Sequence, residues 1–265
     1  MPRFDRTQAR SDMSKVAQIF RFPVKGLSAE AKNSVELRSG EAIPGDRLYA
    51  LAHGSTQFSA NDPQYLSPAK FLMLKRNARL AALKTRFEEE THELAVDRDG
   101  RTVARGLLKT PVGRKMIEQF FAAFLGDEVR GSPKIVSAPG HTFADDPRPC
   151  VSLINISSIR ELERVMNMPL DPLRFRGNVY FDTGQPWEEF DWVGREISIG
   201  DSGLKLTGLA RTERCAATGV NPDNGERDAN IPKTLQRAFG HMDLGIYAAV
   251  SSPGRMSVGD VITVS

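Results

Sequence analysis

Cysteine is scarce: Cys150 and Cys215 are the two in 265 residues. So few thiols build no disulfide scaffold. No C-x-x-C occurs, which excludes a zinc knuckle, a plant-type iron–sulfur cluster and a thioredoxin-like dithiol. Lacking C-x-x-C-H, the chain has no covalent c-type haem site, and lacking G-x-G-x-x-G it has no common dinucleotide fingerprint. Long apolar runs are missing too. The best, Phe120 to Leu125, is six residues, against the roughly 18–20 of a membrane span. One-sided charge is absent: 36 basic and 33 acidic residues leave +3. The two signs interleave, without the basic stripe and stacking aromatics of a nucleic-acid binder. His53, His92, His141 and His241 share no motif. The first 13 residues, MPRFDRTQARSDM, lack an apolar stretch. They read as a frayed tail on a cytoplasmic protein rather than a secretory signal.

What is present is glycine (22) and proline (16), which favour short elements and many turns. Strands are expected at 16–22, 34–37, 47–52, 79–87, 93–97 and 101–104. Asp99-Gly100 signals a type I′ hairpin. Helices are expected at 113–125, where Ile117, Phe120, Phe121 and Phe124 share a face, at 158–167, and at 232–239 behind Pro232. Ser158 with Glu161 reads as a capping box opening the second helix. Strands return at 178–181, 196–199, 204–209, 245–250 and 261–264.

The chemistry concentrates between Ala210 and Asp228, A-R-T-E-R-C-A-A-T-G-V-N-P-D-N-G-E-R-D. Arg211 and Arg214 precede Cys215, and neighbouring guanidinium groups favour a thiolate, the metal-binding and nucleophilic form. By residue type alone, a cysteine ending a Leu-rich strand is a small buried hydrophobe. Arg174 and Arg176, alternating on a strand, would be surface charges, and Lys25, in its Pro-Val-Lys-Gly turn, would face solvent.

Five segments in order resemble the MOSC-domain family, named for the C-terminal domain of molybdenum-cofactor sulfurase. They are also similar to the mitochondrial amidoxime-reducing component and its bacterial relatives. The segments are Phe22-Pro23-Val24-Lys25-Gly26-Leu27, then Gly45-Asp46-Arg47, then Arg174-Phe175-Arg176-Gly177-Asn178. Arg214 to Asp228 follows, and finally Leu244 to Tyr247 with Gly254 to Asp260. Phe22, Tyr49, Gly177 and Glu213 depart from the usual pattern. Glu213 would either repel an anionic cofactor or pair with an arginine.

The resemblance implies an α+β, mostly β fold: a MOSC β-barrel with a few helices over 111–265, and a smaller N-terminal β-barrel-like module over 14–110. It implies the molybdenum cofactor, molybdopterin with its metal, in the cleft between the two. Cys215 would be the metal ligand and catalytic centre. Lys25, Arg47, Ser158, Arg176, Asn178, Arg214 and Thr218 would hold the pyranopterin and its phosphate. Residue types suit that task, since Arg clamps phosphate bidentately and Asn serves a pterin edge. The implied activity is an oxidoreductase reducing small N-hydroxylated compounds, fed by a separate electron-donor protein of ferredoxin or haem type. No nucleic acid and no membrane span are expected. Two other readings stay open: a sulfur carrier or cofactor-handling protein using Cys215, and a binding protein with an inert cysteine.

Overall fold

The computed structural model describes residues 14–265, so the reading of 1–13 as a tail lies outside the described residues. In chain order the strands are β1 Lys15–Arg21, β2 Glu30–Lys32, β3 Ser34–Leu37, β4 Ala50–Ala52, β5 Lys84–Glu88, β6 Glu93–Arg98, β7 Arg101–Leu107, β8 Lys134–Val136, β9 Val151–Asn155, β10 Val179–Asp182, β11 Glu196–Ile199, β12 Leu204–Glu213, β13 Asp243–Ser252, β14 Gly254–Ser257 and β15 Ile262–Val264. The α-helices are α1 Pro111–Leu125, α2 Ile156–Met166 and α3 Ile231–Phe239. The protein is mostly β, as its short, turn-bounded apolar segments require.

Eight strands form one sheet in the order β15-β11-β12-β13-β9-β10-β1-β2. β9 and β10 run parallel, and α2 is the helical crossover such a pair needs. The β12–β13 register shifts at three places, and such bulges bend and twist a ribbon. The sheet curls until its ends approach. Val16 donates to Asp260 O at 2.9 Å and Ile262 donates to Ser14 O at 2.8 Å, so β1 returns to the segment entering β15. The concave face is filled by Val16, Leu153, Phe181, Leu206 and Ile246, with the Phe181 and Trp192 rings stacked at 4.7 Å.

The smaller core lies between the β5-β6-β7 meander and α1. Asp99 (φ 52°) and Gly100 (φ 76°) are both left-handed, as the expected type I′ turn demands. Leu94 and Val96 meet Ile117, Phe121 and Leu125 across this interface. The cores are not contiguous in sequence: β1 and β2 belong to the large sheet, whereas α1 and Ile135 pack with the small one.

Several expected elements change. The 47–52 strand shrinks to β4, because Arg47 takes a left-handed φ of 48°. The 79–87 strand becomes a 3-10 turn, Ala78–Ala82, followed by β5. Residues 174 and 176 are not on a strand: Pro172–Phe175 is a 3-10 turn and Arg176 caps it at φ 51°. β9 was not expected and sits mid-sheet, fully buried. α2 begins at Ile156, and its N-cap is Asn155, whose side chain accepts from Ser157 N; the Ser158 capping box does not form.

Helix α1 lies against β7 at two glycines, Gly106 and Gly113. A Cβ on Gly113 would run into backbone atoms of Leu107. Alanine in a helix is favoured over glycine by about 1 kcal/mol, but backbone cannot step aside, and overpacking costs about 1–3 kcal/mol. Gly113→Ala should therefore lower the urea midpoint at unchanged m-value. A raised midpoint would show the contact to be slack.

Candidate functional site

The turns at 22–27 and 45–47, the start of β10 and the end of β12 converge on one cleft of about 140 Å³. Lys25, Arg47, Arg176, Asn178, Arg214, Cys215 and Thr218 all line it. Ser158 does not. It is fully buried and donates to Glu189 Oε2 at 2.8 Å while accepting from Trp187 N at 2.8 Å. Its hydroxyl is thus committed to Glu189 and Trp187, and the residue lies outside the cleft lining.

The cationic wall is built by the backbone. Arg47 N donates to Phe22 O at 2.8 Å and Lys25 N to Tyr49 O at 2.8 Å, tying the two turns together. Lys25 is 6% exposed rather than solvent-facing. Its ammonium donates to Phe143 O at 2.8 Å and pairs with Asp145. Burial lowers its pKa, with Asp145 opposing. Arg47 pairs with Asp46, and its Nη2 donates to Arg176 O at 3.0 Å. Arg176 Nη1 donates to Leu27 O at 2.9 Å, while its buried Nη2 has no acceptor among the described residues. Leaving such a donor unmet costs about 1–3 kcal/mol or more. The guanidinium groups of Arg47 and Arg176 lie 4.7 and 4.2 Å from the Phe22 ring centre, a favourable cation–π arrangement. Burial, then the Arg47 charge, pushes Arg176 down to about 10; it stays charged at neutral pH.

Other lining residues spend their polar atoms inside the wall. Arg214 donates Nε to Leu244 O at 2.7 Å and Nη1 to Phe175 O at 3.0 Å. It clamps two segments beside Cys215. Asn178 accepts from Ser152 N at 3.2 Å and donates to Phe20 O at 3.2 Å. Thr218 Oγ1 donates to Cys215 O at 2.9 Å, fixing the 3-10 turn Ala216–Gly219 that follows the cysteine. Cys215 itself is a free, exposed thiol, not the buried hydrophobe its residue type suggested. Glu213 beside it is exposed at the cleft.

Asp145, Cys150, Ser152 and Tyr247 also line the cleft and were not anticipated as site residues. Tyr247 lay within a matched segment without an assigned role. Cys150 and Ser152 precede and enter β9, and only recognition of that strand would have put them on a common face. Burial pushes the Cys150 thiol and the Tyr247 phenol each up to about 12. Asp145 gave no local signal; burial raises its carboxyl, but Lys25, ahead of Arg47 and Arg176, holds it below the usual range.

Residues 140–263 match the MOSC domain family. The chain carries a MOSC domain. Proteins named molybdenum cofactor sulfurase share it: that of Drosophila mojavensis is 31% identical over 123 residues, 43% of this chain and 15% of that protein. That of Drosophila willistoni is 38% identical over 98 residues, 36% of this chain and 12% of that protein. The matches thus span a small fraction of those relatives. Among solved structures, the YuaD protein of Bacillus subtilis aligns over 95% of both chains at 14% identity and a TM-score of 0.44. Among the described residues no helix is long and apolar enough to cross a membrane.

Two outcomes follow from this geometry. Asp145, whose side chain is 65% exposed, occupies the Lys25 ammonium that an anion would use. Asp145→Asn should bind inorganic phosphate roughly tenfold more tightly by calorimetry. Affinity should fall as pH rises through the lowered pKa of Lys25, because the deprotonated amine no longer attracts the anion; a flat profile to pH 10 would contradict this assignment. Ser158→Ala should lose about 1.5–3 kcal/mol in chemical unfolding, the worth of a hydrogen bond to a charged group. It should leave phosphate binding unchanged.

Proposed function

We propose that this cleft binds the molybdenum cofactor through Cys215 and reduces N–O bonds of small N-hydroxylated compounds. The observation that carries the reading is the meeting of an exposed, unpaired thiol with Lys25, Arg47 and Arg176 in one cleft. The donor set fits the group. A soft thiolate suits such a metal, and the unmet Nη2 of Arg176 is a donor waiting for a phosphate-like acceptor. Among the described residues no cluster of three or more His, Cys, Asp or Glu could hold a metal ion. A metal bound by one thiolate must bring its other ligands, as a dithiolene does.

When bound, the cofactor supplies a two-electron centre that accepts an oxygen atom; the chain binds, orients and isolates it. Lys25, Arg47 and Arg176 hold the phosphate, and Phe22 keeps both guanidinium groups in register. Arg214 and Thr218 fix the turn that presents Cys215. Tyr247, protonated at neutral pH, keeps an O–H at the cleft wall. Electrons come from a separate ferredoxin or haem protein, since the sequence carries no fingerprint for a second redox group; such encounters are small and charge-steered.

A second reading has support of its own. Cys215 is exposed and the relatives are named molybdenum cofactor sulfurase, so the thiol would carry a persulfide or hold the cofactor for delivery. Metal analysis and cyanolysis of protein from a molybdenum-replete host separate the two. Stoichiometric molybdenum with dye-driven reduction of benzamidoxime supports the reductase; labile sulfur without turnover supports the carrier. Cys215→Ala should abolish metal binding and turnover at an unchanged melting temperature. Cys150→Ala should keep both, because a thiol with a pKa of about 12 stays protonated and binds metal poorly. Retained molybdenum in Cys215→Ala would overturn the ligand assignment.

A further inference from the structure

A larger cavity of about 520 Å³ adjoins the cleft and plays no part in the cofactor reading. Leu27, Leu80, Leu83, Phe87, Leu173 and Val220 give it an apolar wall. Its volume is that of small-molecule sites, which are mostly apolar with a few placed polar groups. The two spaces share Gly26, Leu74, Arg174 and Arg176.

Most of the polar lining is already satisfied. Ser28 N donates to Thr85 Oγ1 at 3.2 Å, and Thr85 N donates to Ser28 Oγ at 2.9 Å. Glu30 pairs with Arg21 at 2.9 Å and Asp97 with Arg86 at 3.0 Å. Lys84 donates to Pro222 O at 2.7 Å. The exceptions lie on the shared wall. Arg174 pairs with Asp228, its Nη2 donating at 2.7 Å, yet its buried Nε and Nη1 have no hydrogen-bond acceptor, nor has Arg176 Nη2.

We propose that this cavity is a binding site for a flat, apolar small molecule of one or two rings that carries a single acceptor group, a carboxylate or carbonyl, for the guanidinium edge of Arg174. Each part of that description has its cause. The aliphatic and aromatic wall selects the rings. The unmet N–H of Arg174 Nε selects an acceptor, and the guanidinium charges of Arg174 and Arg176 reject a cation. A pterin, with several donors and acceptors along its edge, would leave most of them unpaired against this wall. Phe22 also lines the cavity while Arg47 and Arg176 lie over its ring. An occupant therefore touches the ring on which the cleft's two guanidinium groups rest.

The proposal does not depend on the cofactor, so it is tested on the purified full chain with methyl labelling and 2-naphthoate as probe. The methyl signals of Leu27, Leu80 and Leu83 should shift and saturate, whereas those of Met73 and Thr218, which line only the cleft, should move less. 2-Naphthylmethylammonium, with the same rings and a cationic head, should bind at least tenfold more weakly. Ala81→Trp, which fills the space, should weaken naphthoate binding at least tenfold, and Ala29→Phe serves the same purpose if Ala81→Trp fails to fold. The site is disproved if the three leucines stay still up to the solubility limit, if the ammonium compound binds equally well, or if the shifts centre on Met73 and Thr218. Parallel titration with inorganic phosphate is read at Met73 and Thr218, which line only the cleft, so failure of the cofactor reading registers separately.

Discussion

Three like charges held together away from water repel one another, and the cleft exists only because the fold opposes that repulsion at each one. Lys25 is given a carboxylate and a carbonyl, from Asp145 and Phe143. Arg47 is given Asp46 and a carbonyl. Arg176 receives a carbonyl and the face of Phe22, but no carboxylate. Arg176 therefore lacks a carboxylate of its own, and positive charge on the wall is left uncompensated there. Charge of this kind attracts an anion strongly in a low-dielectric setting. Both arginines take left-handed backbone, a conformation unusual outside glycine. Strain of this sort persists where the surroundings over-determine it, as the carbonyl and ring contacts do here.

What was legible in the sequence was local chemistry with a short-range cause. Asp99-Gly100 signalled its hairpin because Asp-Gly is one of the few pairs that accept two positive φ angles at low cost. The i, i+3, i+4 spacing of Ile117, Phe120 and Phe121 gave α1, and Pro232 with Gly240 bracketed α3. Family resemblance gathered seven of the eight expected site residues to one cleft. Ser158 lies outside that cleft, and its capping box does not form because two capping choices compete. The structure uses Asn155, and an Asn caps as well as a Ser.

Other features had no local sign. β9 reads as a short apolar run, V-S-L-I-N, which periodicity cannot separate from a buried piece of helix. Arg174 and Arg176 looked like alternating strand residues, yet Asp171-Pro172 starts a 3-10 turn instead, with the Asp171 carboxylate accepting from Leu173 N at 2.8 Å. The partnership of Lys25 and Asp145 spans 120 residues, and no window of sequence reveals a contact of that range.

The seam that closes the large sheet has a consequence for how the molecule comes into being. β1 finds one neighbour, β2, almost at once, but its other partner, β10, lies far along the chain; Phe20 O waits for Asn178 across 158 residues. Its remaining contacts, to Asp260 and Ile262, arrive last. A ribosome making the chain at about 5–20 residues per second leaves that strand edge bare for many seconds. Through that interval the turn carrying Lys25, which leads directly out of β1, has no opposite wall. Lys25 and Arg47 are thus synthesised well before Arg176 and Cys215, and the anion site is completed only once both later segments have followed.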